Sequence, residues 1–230
     1  MLDNEAKQNT RRSMIMGLGA AMVGAAVVAP VTATAQTRSS GFQPSRHDVD
    51  AWFDELPGNH RIFIDSATAT GSAEALLYAF NLTNATRSAY AGEAASMALI
   101  VCLRHFSTPF AFNDAMWEKY GSVFHGITQM PDPNTNAAPR INLMNTAGYG
   151  MNLPNFGNTI DSVRELGVEI AICDAATSFL ATQIAVSTGV EMLVVYEELK
   201  ANAVPGRFVS AGVMALTRAQ EYGYSLLYAG

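Results

Sequence analysis

Five short apolar runs, each bounded by glycine, proline or small polar residues, alternate along the chain with longer stretches whose apolar residues recur at helical spacing. The runs at 60–65, 96–103, 168–173, 208–211 and 224–228 read as strands. Between them, helices are predicted at 71 to about 90, 112–120, 159–166, 175–187, 191–201 and 212–222. The run 96–103 is apolar without alternation, the pattern of a strand buried on both faces, as in parallel sheets. Strands alternating with helices imply an α/β fold: three layers, with a mostly parallel sheet of about five strands and helices on both faces.

Two stretches break the pattern. Residues 36–57 are polar and irregular apart from an amphipathic piece at 49–56, and read as a linker or N-terminal arm. Residues 121–158 carry Pro131, Pro133, Pro139 and Pro154 among many asparagines and glycines, with Gly121 expected to stop the preceding helix. An insert of that length is expected to act as a lid, a binding loop or a subunit contact. The folded domain is thus placed at 58–230.

The first 35 residues differ in kind. A polar start leads to Arg11-Arg12, then to an uncharged run from Gly17 to Ala29 that is too short for a permanent span, then to Ala33-Thr34-Ala35. This is the order of a twin-arginine signal peptide, with cleavage expected after Ala35 and no permanent membrane anchor. Export of an already folded domain to the periplasm or beyond follows from that reading.

Residues 1–35 hold three basic side chains and two acidic ones, so the remainder keeps 11 of the 14 basic and 18 of the 20 acidic residues, a charge of about −7. With no Lys/Arg cluster, such a surface repels a phosphate backbone, and nucleic-acid binding is excluded from the reading. His47, His60 and His125 show no metal-ligand spacing, and no glycine-rich phosphate loop follows the first strand, so neither a metal nor a cofactor is expected.

Ligands of open parallel sheets gather outside the carboxyl ends of the strands. That rule selects Asp65-Ser66, Arg104-His105, Cys173-Asp174 and Ser210-Ala211-Gly212. Cys173 stands where a strand passes into a helix N-terminus, whose partial positive charge favours a thiolate and so a nucleophile. Arg104 and His105 could support it if their strands are neighbours, whereas Asp174 beside it acts in the opposite sense or caps the helix. Whether Cys102 and Cys173 pair is left open by the sequence.

The segments Gly167-Val168-Glu169-Ile170-Ala171-Ile172-Cys173 and Val209-Ser210-Ala211-Gly212-Val213, the latter leading to Arg218-Ala219-Gln220-Glu221-Tyr222-Gly223-Tyr224, resemble the DsrE/DsrF-like (YchN-like) domain. The stretch from Leu103-Arg104-His105-Phe106 through Phe112-Asn113-Asp114 to Trp117-Glu118-Lys119-Tyr120 is similar to exported, twin-arginine-bearing members of that group. The resemblance implies a doubly wound domain assembling into homo-trimers or hexamers. In sulfur-handling members it also implies a persulfide carried on the cysteine matching Cys173, exchanged with a small sulfur species or a sulfur-carrier protein. Two readings remain open at this point. One is a sulfur carrier or sulfurtransferase using Cys173, with Arg104, His105 and Asp174 as its binding residues. The other is a non-catalytic oligomeric protein, structural or binding a small ligand, in which Cys173 only fills space.

Overall fold

A computed structural model describes residues 41, 43–92 and 96–230. The signal-peptide reading lies outside the described residues. From the amino end, the described elements are a short helix α1 (Trp52–Glu55), β1 (His60–Ser66), α2 (Ala69–Ala89), β2 (Met97–Leu103), a 3-10 segment (His105–Ala111) and α3 (Asp114–Thr128). They continue with α4 (Ile160–Glu165), β3 (Glu169–Cys173), α5 (Asp174–Thr188), α6 (Met192–Ala201), β4 (Arg207–Val209), α7 (Gly212–Glu221) and β5 (Ser225–Ala229). The strands form one parallel sheet in the order β4-β3-β2-β1-β5. This is the three-layer α/β architecture expected from the alternation of patterns. Among the described residues no helix is long and apolar enough to cross a membrane.

Strand order dictates which helices lie on which face. From β1 to β4 the chain steps in one direction across the sheet, and right-handed crossovers therefore put α2 to α6 on one face. The step from β4 to β5 runs back across the whole sheet, so α7 falls on the other. The two cores follow this division. Ile64, Val101 and Ile172 meet Leu76, Trp117, Leu180 and Leu199 on the first face, while Phe63, Ile100 and Ala171 meet Ala215 and Ala219 on the second.

Helix α3 runs through Gly121, contrary to expectation, and ends eight residues later with Gln129 in the left-handed region at φ 54°. Gly121 serves close approach instead of termination: a Cβ there would lie 2.2 Å from the carbonyl oxygen of Pro139. The insert is accordingly shorter than read and is fastened down. Asn142 is fully buried and donates to the Phe110 and Phe112 carbonyls at 2.7 and 2.9 Å, while Leu143 and Met144 complete the first core.

Tyr149 ties the same strap through a hydrogen bond from its hydroxyl to Asp132. Burial, then that bond, push the phenol from its ordinary value of 10.0 up to about 12. A phenol whose ionisation is suppressed by folding contributes stability that is complete below pH 10 and is lost as pH rises through 12. Alkaline titration followed by far-UV circular dichroism should therefore show a loss of stability in that window, and Tyr149→Phe should reduce it.

The arm also proves to be docked from Pro44 on. Trp52 and Phe53 are buried in the second core, and Asp50 pairs with Arg218 of α7 at 2.8 Å. Arg218 further donates to the Ser45 carbonyl at 2.5 Å, and the Arg46 guanidinium stacks on Tyr222 at 3.8 Å. Of the expected linker, residues 36–40 and 42 lie outside the described residues.

Candidate functional site

Neighbouring strands β3 and β4 send their following helices to opposite faces, α5 to one and α7 to the other. Such a divergence opens a crevice at the carboxyl edge of the sheet, the usual ligand position in open α/β folds. Cys173 ends β3 inside that crevice, and Gly212 begins α7 across from it.

The sulfur faces both helix starts. Sγ of Cys173 caps α5, accepting from the amide of Ala176 at 3.4 Å, and accepts from the amide of Gly212 at 3.2 Å. The first amides of a helix have no partner within it and carry the positive end of its dipole. Two such ends converge on one sulfur, which accepts from both. Of the two roles open to Asp174, capping is taken by Cys173 itself, which is 6% exposed. Its access is through a cavity of about 450 Å³.

Arg104 and His105 line the same cavity, arriving from the end of β2, which pairs with β3. Arg104 is clamped. Its Nε and Nη2 donate to the two carboxylate oxygens of Asp65 at 2.6 and 2.7 Å, in a bidentate pair whose acid is 2% exposed. Hydrogen bonding to Asp65 raises the guanidinium further above its ordinary value. His105 adopts φ 55°, sparsely populated for a side-chain-bearing residue, and its ring contacts that of Phe106 at a centroid distance of 3.9 Å. Strain of this kind collects at ligand sites and is held here by the bonds from the Arg104 and Phe106 amides to the Ser66 and Ala67 carbonyls.

Asp174 does not join them. Its carboxylate accepts from the Tyr196 hydroxyl at 2.7 Å and lies 3.5 Å from Lys200, both on α6 and away from the cavity wall. The residue missed by sequence reasoning is Asp65 as the partner that orients Arg104. The signal was present, an acid at the end of a strand, but only the β1–β2 register, Asp65 opposite Cys102, makes it adjacent.

Both cysteines are free. Cys102 faces Ala171 across β2–β3, so Cys173 lies two residues further along the neighbouring strand, a Cα separation of about 8 Å from strand spacing and rise. That exceeds the roughly 7 Å a disulfide spans. Cys102 is fully buried, and burial followed by the nearby Asp65 charge pushes its thiol well above the ordinary value. No residue of the insert lines the cavity, so the expected lid or binding loop is absent from this site.

Comparison with known proteins finds no matching family model, no matching curated protein and no matching solved structure. The site therefore rests on its own geometry: one reachable thiol, two helix starts aimed at it, and one fixed cation in the same cavity.

Proposed function

We propose that this chain is an exported sulfur carrier of the DsrE/DsrF-like kind, holding a sulfane sulfur as a persulfide on Cys173. The observation that carries the reading is the pair of helix-start amides converging on the Cys173 sulfur at the mouth of an open cavity. A persulfide is an anion, and the helix-start amides that meet the Cys173 sulfur favour it. In the loading step the Cys173 thiolate attacks the terminal sulfur of a donor R–S–SH. One S–S bond forms, one breaks, and the electron pair leaves as R–S⁻, giving Cys173–S–SH with no outside oxidant. Delivery to an acceptor thiolate is the same exchange in reverse.

Export by the twin-arginine route with cleavage after Ala35, and assembly into homo-trimers or hexamers, belong to the same proposal. Val186, Leu193 and Val194, at 82%, 57% and 55% exposure, offer apolar surface suited to such assembly. The reading is tested by intact-protein mass spectrometry after brief exposure to inorganic polysulfide. A gain of about 32 Da, one sulfur atom, is expected in the wild type and not in Cys173→Ser. No gain on a thiol that iodoacetamide still alkylates would overturn it and leave the non-catalytic reading.

A further inference from the structure

Resting on the carrier reading, the composition of the cavity narrows the donor. Among the described residues, Arg104 is the one arginine, lysine or acidic residue lining it, and its charge is already matched by Asp65 through two hydrogen bonds. A dianion such as thiosulfate would find no net positive charge there and would lose its hydration on entry. Beyond Arg104, His105, Gly212 and Cys173 itself, the lining is apolar: Phe106, Phe179, Val213 and the alanines at 175, 176 and 211. Phe179 and Val213 are 50% and 57% exposed, uncovered by any described part of the chain. A volume of about 450 Å³ is that of a small-organic-molecule site, many times what one sulfur anion needs.

We infer that Cys173 is loaded by an organic sulfane-sulfur donor of single negative charge whose apolar group lies against Phe106, Phe179 and Val213, not by thiosulfate. With a thiosulfonate, R–SO₂–S⁻, the Cys173 thiolate attacks the outer sulfur, the donor's S–S bond breaks, and the electron pair departs with the sulfinate R–SO₂⁻. Each side of the step carries two negative charges, and no other reactant is required. Arg104 lines the cavity, and its Nη1, the guanidinium nitrogen outside the pair with Asp65, remains available to donate to the departing sulfinate.

The test compares sodium benzenethiosulfonate, sodium methanethiosulfonate and sodium thiosulfate at equal concentration, following the appearance of the persulfide by intact mass. Burying a phenyl-sized group is worth at least about tenfold in affinity, so benzenethiosulfonate should load at least about tenfold faster than the methyl compound at subsaturating concentration. Thiosulfate should be slowest. Phe179→Ala, a change at a half-exposed side chain, should lower the benzenethiosulfonate rate more than the methanethiosulfonate rate. Equal or faster loading by thiosulfate, with polysulfide loading intact, would overturn this inference and leave the carrier reading standing. Failure of every donor, polysulfide included, would remove both.

Discussion

Replacing Arg104 by alanine is expected to cost about 3–5 kcal/mol of stability, several times what a surface ion pair contributes. The difference lies in the partner. Asp65 is 2% exposed, and both its carboxylate oxygens accept from Arg104, so the variant strands a carboxylate beside the buried Cys102 with no counter-charge. Removing both members should be far milder: Asp65→Asn combined with Arg104→Met leaves no buried charge and should recover most of the loss. Arg104→Lys should fall between, because a single ammonium cannot reproduce the two-pronged contact. Urea unfolding of the four proteins measures this directly. A cost below about 1 kcal/mol for Arg104→Ala would mean that the pair is a solvated surface contact.

The second large effect is expected at Gly212. A Cβ there would stand 2.6 Å from Cβ and 2.9 Å from Cδ of Arg104, and 3.1 Å from Sγ of Cys102, so Gly212→Ala must push apart Arg104 and the start of α7. That movement withdraws the amide now 3.2 Å from the Cys173 sulfur. We expect a fall of about tenfold in the rate of polysulfide loading, consistent with loss of one hydrogen bond to a charged group, and a stability cost of about 1–3 kcal/mol. Gly126→Ala is the matched control. It lies inside α3 with nothing within 4 Å of its added Cβ, and should gain about 0.5–1 kcal/mol with loading unchanged. Similar behaviour of the two variants would separate the Gly212 amide from the chemistry of the thiol.

The contrast between these glycines also marks what the sequence could and could not convey. All five strands were legible because each is an apolar run with local punctuation, and in β2 burial on both faces writes itself into composition. Gly121 was misread because a glycine that ends a helix and one that admits a neighbouring backbone look alike locally. The distinction lies with Pro139, which is remote in sequence. The docked arm escaped notice for the same reason: its anchor, Asp50 to Arg218, joins residues at opposite ends of the domain.

At the site, residue types at strand ends were enough to select Cys173, Arg104 and His105, which the structure brings to one cavity. Strand order was not readable, and with it the divergence of α5 and α7 that opens the crevice, the second amide on the sulfur, and the pairing of Asp65 with Arg104. Asp174 fits a helix start by type, but the position of Tyr196 and Lys200 on α6 draws it away.

The most direct measurement of the account is the labelling of the two thiols by iodoacetamide in native and denatured protein, resolved by peptide mass mapping. Native protein should be alkylated at Cys173 alone, with Cys102 reacting only after denaturation, since one sulfur borders an open cavity and the other is sealed between sheet and α7. Labelling of Cys102 at a comparable native rate, or a Cys173 that stays unmodified until the protein unfolds, would contradict it.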